Sequence, residues 1–267
     1  MPPLTGSILL NFAQTTTQQV GAQLLLNSQV QALTQAKSDG SLITASDEWA
    51  DHQIRMAIHQ HFPDHGLLTE EFTQVFPDTD WCWVVDPLDG TTNFARGIPF
   101  WGISLGLLYQ GIPVFGYAYF PTLGETYYGF WPSAGSDLPT GAFCNGNLIR
   151  PTTAGAGPNE FFSFCSRSLG LYCPEFPGKP RVLGSGVYNL LAVAKGSMVG
   201  SVEIATKVWD IAAAWVIAQA SGAHWLALEP NPPFPLQPGQ DYGRRSFPTL
   251  LLAHPGLVPV FLPLVQP

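Results

Sequence analysis

Apolar positions along this 267-residue chain repeat with two periods, near 3.6 and near 2, and the changes between them mark out the elements. Over residues 7–36, Ile8, Leu9, Phe12, Val20, Leu24, Val30 and Leu33 recur at roughly helical spacing among Gln and Thr. That pattern predicts one long helix, with a break near Gly21. Trp49, Ile54, Ile58 and Phe62 predict a second helix after Asp47. Ser46 or Asp47 suits its N-cap, and on local pattern capping and a chemical role for Asp47 weigh equally. His59, His61 and His65, at its polar end, read as solvated rather than as metal ligands. Leu67-Leu68-Thr69-Glu70-Glu71 reads as a short strand ending in paired acids, whose side chains point to opposite faces.

Trp83-Val84-Val85 reads as the end of a buried strand. Residues 101–120 alternate apolar and small residues, predicting two strands that turn at Gly111-Ile112-Pro113, and residues 124–128 continue as a third. Residues 132–140 read as a loop, and Gly141-Ala142-Phe143-Cys144-Asn145-Gly146 as a hairpin with an Asn-Gly turn. Gly and Pro among polar residues at 151–160 divide one continuous domain into halves, 1–150 and 151–267.

In the second half, residues 161–166 read as a strand and 172–180 as a loop. Arg181-Val182-Leu183-Gly184-Ser185-Gly186 leads into a helix over 187–195. Ser201-Val202-Glu203-Ile204 reads as a strand with one acid. Lys207-Val208-Trp209-Asp210 opens a helix over 211–221, stopped by Gly222, with Asp210 where an N-cap belongs. The last forty or so residues predict a strand at 250–253 and an apolar tail at 257–264.

Composition narrows the class. Hydrophobic residues make up 46% of the chain, enough for a substantial core, while only 11% are charged. Acids outnumber bases 19 to 11, which argues against a nucleic-acid surface and fits acids gathered at a cation site. No apolar run is long enough to cross a bilayer, and the start lacks the basic region of a signal peptide. Cys82, Cys144, Cys165 and Cys173 are scattered, with no metal-ligand spacing. They read as free core thiols of a cytoplasmic protein, although spacing alone leaves a disulfide open.

The chemistry concentrates in Val84-Val85-Asp86-Pro87-Leu88-Asp89-Gly90-Thr91-Thr92-Asn93-Phe94. A buried strand here ends in two carboxylates and turns through Gly90 into a helix beginning near Asn93. Carboxylates offer the hard oxygen ligands that suit magnesium, and the free N–H groups of a helix start suit a phosphate. A surface turn that merely caps a helix is the alternative for such acids. Together, Asp47, Glu70, Asp86, Asp89 and Asp210 form the oxygen-ligand set of a multi-magnesium phosphatase, whose ions lie about 3.5–4 Å apart. The absence of a Cys or His nucleophile motif favours attack by water over a covalent intermediate.

The chain resembles the inositol monophosphatase family of magnesium-dependent phosphatases over nearly its whole length. Residues 83–96 (WVVDPLDGTTNFAR) match the family's first signature and residues 209–223 (WDIAAAWVIAQASGA) its second. Residues 37–47 fit K-x-D-x-S-x-x-T-x-x-D through Lys37, Asp39, Ser41, Thr44 and Asp47. The paired glutamates and the GAFCNG hairpin follow in family order. The resemblance implies an α+β fold, a layered αβαβα sandwich, and a phosphomonoesterase acting on myo-inositol monophosphate or a related polyol or sugar phosphate. Histidinol phosphate, fructose 1,6-bisphosphate and 3′-phosphoadenosine 5′-phosphate are the rival substrates, and a non-catalytic metal-binding scaffold the rival of another class.

The same resemblance implies two to three Mg2+ ions. Glu70, Asp86 and the carbonyl of Leu88 hold the first, Asp86, Asp89 and Asp210 the second, and a weaker third leans on Glu70. Thr91, polarised by Asp47, works with Glu70 to activate water. Asp89, Gly90, Thr91, Gly184, Ser185, Gly186, Glu203 and Asp210 contact phosphate or substrate. Glu203, seven residues before Asp210, tilts the choice toward a polyol. The implied partners are a small phosphate ester and a second copy of the chain, with no nucleic acid and no membrane. Thr69 in place of the usual glycine, Lys207 and the Pro-rich segment 231–238 depart from the family pattern and leave the substrate open.

Overall fold

The computed structural model describes residues 5–29, 34–36, 42–131 and 140–265. Its elements in chain order begin with α1 (Gly6–Ser28), β1 (Thr34–Ala36), β2 (Leu42–Thr44), α2 (Ala45–His61), β3 (Gly66–Thr69), β4 (Trp81–Asp89) and α3 (Thr91–Arg96). There follow β5 (Gly102–Tyr109), β6 (Ile112–Phe120), β7 (Glu125–Phe130), β8 (Gly141–Cys144), β9 (Asn147–Leu148) and β10 (Phe161–Phe164). The chain closes with β11 (Lys179–Arg181), α4 (Gly186–Ala194), β12 (Gly200–Glu203), α5 (Val208–Ser221), β13 (His224–Ala227), β14 (Thr249–Leu252) and α6 (Val258–Val265). Strands β3 to β9 lie side by side in sequence order as a seven-stranded sheet, and β11-β10-β12-β14-β13 make a five-stranded one.

The layering follows from the alternation of side chains along β4. Trp83 and Val85 pack with Leu9, Phe12, Ile54 and Ile58 of α1 and α2. Cys82 and Val84 point the other way, toward α4, α5 and the five-stranded sheet. Phe261 of α6 meets Phe162 of β10 with ring centroids 4.8 Å apart, so α6 covers the outer face of the second sheet. The order is helices, sheet, helices, sheet, helix. All strands of the larger sheet precede residue 150 and all those of the smaller follow it, yet α5 from the second half packs on the first sheet.

Helix α5 lies unusually close to that sheet. A Cβ on Gly116 of β6 would sit 2.3 Å from the carbonyl oxygen of Ala213, so glycine is what lets helix and strand touch. This contact fixes the helix whose first turn carries Asp210.

Several predicted boundaries move. The first helix ends at Ser28, and residues 34–36 form β1, paired antiparallel with β2, instead of continuing the helix. Gly21 does not break α1; it packs against Tyr119. Neither Ser46 nor Asp47 is the N-cap of α2. Thr44 caps it, its hydroxyl accepting from Ser46 N–H, with Asp47 in the first turn. Asp210 likewise is no cap: α5 begins at Val208, with Lys207 at the cap. Residues 258–264 form a helix rather than a tail, and β13 and the short 3₁₀ helix Ser166–Leu171 appear where no element was predicted. His65 is half-buried rather than solvated, its ring stacked on Phe62 and its Nδ1 accepting from Trp83 Nε1–H. Lys37, Asp39, Ser41 and residues 132–139 lie outside the described residues. All four cysteines are free, and no helix among the described residues is long and apolar enough to cross a membrane.

Candidate active site

Asp86 and Asp89 are three residues apart on one strand, a spacing that in regular β-structure sends side chains to opposite faces. The ladder between β4 and β5 breaks between them: Asp86 pairs with Ser104, Asp89 with Gly102, so β4 carries one extra residue there. Pro87, which has no N–H to give the ladder, lies in this bulge. The bulge turns both carboxylates to one side. Parallel pairing of β3 with β4, Thr69 opposite Val85, brings Glu70 to the same strand end, where its N–H donates to Val85 O at 3.2 Å. Asp210 arrives from the first turn of α5, its Oδ2 accepting from Lys207 N–H at 2.7 Å. Carboxylate oxygens of Asp86, Asp89 and Asp210 all lie within 4.8 Å of one another.

Each acid has distinct support. Leu88 N–H donates to Asp86 Oδ1 at 3.0 Å. Ser185 Oγ donates to Asp89 Oδ2, and Gly186 N–H to Asp89 Oδ1 at 3.1 Å. Asp47 is buried, with Oδ2 accepting from Thr44 N–H at 2.8 Å and Oδ1 lying 2.8 Å from Thr91 Oγ1. Thr91 Oγ1 also lies 3.1 Å from Leu88 O, but its single proton goes to the nearer, charged acceptor. Gly90 makes the turn from strand to α3 with φ at +85°, a conformation that favours glycine.

Crowding of buried acids shows in their titration. Burial first, then the charges of Glu70, Asp89 and Asp210, push Asp86 well above the usual carboxylate range. Burial raises Asp89 to about 6 against the hydrogen bonds from Ser185 and Gly186. Asp210 rises to about 8 through burial and the charges of Asp89 and Glu70. Glu203 also rises to about 8, again mainly by burial, with Asn189 and Ser201 opposing. Among the described residues no lysine or arginine forms an ion pair with Asp86, Asp89 or Asp210. A hard divalent cation, which takes carboxylate oxygens, offsets such a cluster, so the donor set fits one.

The predicted residues meet at one cleft of about 260 Å³. Glu70, Gly90, Thr91, Gly184, Gly186 and Glu203 face it, with Ser185 and Asp210. Asp47 stands behind Thr91, and Asp86 and Leu88 lie buried beneath. Sequence reasoning passed over Cys165, Ser166, Arg167, Asn189 and Thr206, which also line the cleft. It passed over Asn93 too, whose Nδ2 donates to Phe100 O and Leu183 O, both at 2.7 Å, tying the first signature to the Gly184 turn. For Asn189 the available signal was a lone amide among the apolar residues of α4; Asn93, which follows Thr91 and Thr92, carried none.

Fold and site together define a layered α+β protein with a carboxylate-lined cleft for an anionic ester. A profile of the inositol monophosphatase family matches residues 7–254. The chain is 32% identical over 247 residues to an inositol-1-monophosphatase of Synechocystis sp., covering 86% of this chain and 84% of that one. It is 31% identical over 208 residues to a fructose-1,6-bisphosphatase/inositol-1-monophosphatase of Aquifex aeolicus, covering 73% and 75%. The fold matches that of a Thermotoga maritima IMPase with a TM-score of 0.79 at 26% identity, over 96% of this chain and 95% of that one. The chain belongs to the inositol monophosphatase family, and it is a phosphoric monoester hydrolase.

Proposed function

We propose that the chain is a Mg2+-dependent phosphomonoesterase that hydrolyses myo-inositol monophosphate, or a closely related polyol or sugar phosphate, with water as the nucleophile. The observation that carries this reading is the convergence of Asp86, Asp89 and Asp210 from two distant elements at a cleft that also holds Thr91 and Glu203.

In this reading the site takes two to three ions. Glu70, Asp86 and the Leu88 carbonyl hold one, Asp86, Asp89 and Asp210 another, and Glu70 supports a weaker third. Bound magnesium supplies positive charge against the phosphate oxygens. Thr91, its hydroxyl proton drawn toward Asp47, and Glu70 orient the attacking water and take its proton. The N–H groups of Gly90 and Thr91, at the start of α3, point at the phosphate. Gly184, Ser185, Gly186 and Glu203 form the wall on the leaving-group side, where Glu203 accepts from substrate hydroxyls. We further propose that the protein works as a homodimer in the cytoplasm. Four free cysteines and a low content of charged residues are compatible with that.

A second reading, a sugar bisphosphate as substrate, is favoured by one observation. A further cleft of about 450 Å³ shares Glu70 and Asp210 with the first and is lined by Arg167, Lys207 and Arg244, cations suited to a second phosphate.

Phosphate release with magnesium from a panel of myo-inositol 1-phosphate, fructose 1,6-bisphosphate, histidinol phosphate and 3′-phosphoadenosine 5′-phosphate tests both readings. The first expects the highest kcat/KM for the inositol ester and the second for the bisphosphate. Folded protein that releases phosphate from none of them would remove both.

A further inference from the structure

The two oxygens of Glu203 stand in unlike surroundings. Oε1 accepts from Asn189 Nδ2 at 2.8 Å and from Ser201 Oγ at 3.1 Å. Oε2 faces Gly186, where a Cβ would lie 3.8 Å from it and 4.0 Å from Asp89 Oδ1. Ser201 and Glu203 share one face of β12 because alternate residues of a strand do. Asn189 reaches the same oxygen from α4. The amide is fully buried, and its Oδ1 has no hydrogen-bond partner. Packing does not explain an amide here: an apolar side chain would pack without stranding a polar atom. What the amide does supply is a donor to one chosen oxygen of a buried acid.

We propose that Asn189 is a positioning residue which, with Ser201, anchors Oε1 of Glu203 so that Oε2 is presented at Gly186 to a hydroxyl of the leaving group. The proposal rests on reading the cleft as a polyol-phosphate site and adds the device that makes it selective. An ester whose leaving group carries hydroxyl donors gains a bond to Oε2. An aryl ester does not. With the anchor removed, the carboxylate turns about its χ angles and its acceptor no longer stands at a fixed point beside Asp89.

The test uses the whole magnesium-loaded protein and two readouts, steady-state kinetics on myo-inositol 1-phosphate and p-nitrophenyl phosphate, and calorimetric binding of myo-inositol. Asn189→Ala is expected to raise KM for the inositol ester about tenfold and to weaken inositol binding to match, leaving kcat on the aryl ester within about twofold. In a Glu203→Ala background the same substitution is expected to change nothing further. Equal losses on both esters, or a full Asn189 effect without Glu203, would overturn the proposal. If Asn189→Ala does not fold, Ser201→Ala decides: a several-fold rise in KM on the inositol ester alone supports it, and no change overturns it. Should the wild type release phosphate from neither ester, the polyol-phosphate reading fails by itself. Inositol binding then decides the role of Asn189, a tenfold loss in Asn189→Ala supporting it and equal or absent binding overturning it.

Discussion

Thr91 and Asp47, 44 residues apart in the chain, meet through one hydrogen bond, Oγ1 to Oδ1 at 2.8 Å. The other oxygen of Asp47 accepts from the backbone N–H of Thr44, the residue that caps α2. One carboxylate thus finishes a helix and orients a hydroxyl at the cleft. Closing the capping box that begins at Thr44 and holding the Thr91 hydroxyl are two uses of the same side chain.

The first prediction concerns this pair. Thr91→Ala is expected to lower kcat about a hundredfold, in the range for loss of a positioned proton-transfer group. Thr91→Ser, which keeps the hydroxyl, should retain most of it. Phosphate release at saturating substrate checks both, and a Thr91→Ala enzyme as fast as Thr91→Ser would show that the hydroxyl plays no part.

Ser185 supports Asp89, one of the proposed magnesium ligands. Its hydroxyl donates to Asp89 and also accepts from Tyr188 N–H at the start of α4. Ser185→Ala is expected to weaken magnesium half-saturation by about 10- to 100-fold, as loss of a partner behind a metal ligand does. Asp89→Ala, which strips the ligand itself, is expected to lose activity by several orders of magnitude. Magnesium titrations of both variants give the comparison, and unchanged half-saturation in Ser185→Ala contradicts the role.

The buried acids give stability an unusual pH dependence. Unfolded aspartates titrate near about 4, whereas Asp89 in the folded chain is raised to about 6 and Asp210 to about 8, both mainly by burial. Between these limits the metal-free folded chain holds more protons than the unfolded one, so these groups lower stability as pH rises through the window. In chelator, Tm is therefore expected to be several degrees lower at pH 8 than at pH 6. Magnesium at pH 8 should restore it, because the cation prefers the ionised carboxylates. Calorimetry at both pH values, with and without magnesium, reads the sign directly.

The close packing of α5 is also exposed to test. Gly116→Ala places a methyl group 2.3 Å from Ala213 O and 2.9 Å from Ala213 Cα, against backbone that cannot move without shifting the helix. The expected cost is about 1–3 kcal/mol, read by urea unfolding. Because the same helix carries Asp210, magnesium affinity should fall with stability.

Much of the candidate site was legible because its acids sit where apolar runs end or helical patterns begin. Asp86 and Asp89 follow Val84-Val85, Glu70 follows Leu67-Leu68, and Asp210 opens a helical pattern. Local pattern carries that information, and it equally located most strands of the large sheet. It does not carry partnerships formed by folding. Ser185 meets Asp89 across 96 residues and Asn93 meets Leu183 across 90, contacts that no local pattern announces. The misjudged ends have local causes. Pro259 and Pro263 hid α6, which carries Pro263 in its interior, and helical spacing extrapolated past Ser28 hid the strand at 34–36.

The central claim is that three carboxylates from β4 and α5 bring a divalent cation to a phosphate ester. Inorganic phosphate released from myo-inositol 1-phosphate, measured with magnesium and again in excess chelator, tests it most directly. The account predicts turnover that requires magnesium and is lost in Asp210→Ala. Undiminished release in chelator, or in Asp210→Ala, would contradict it.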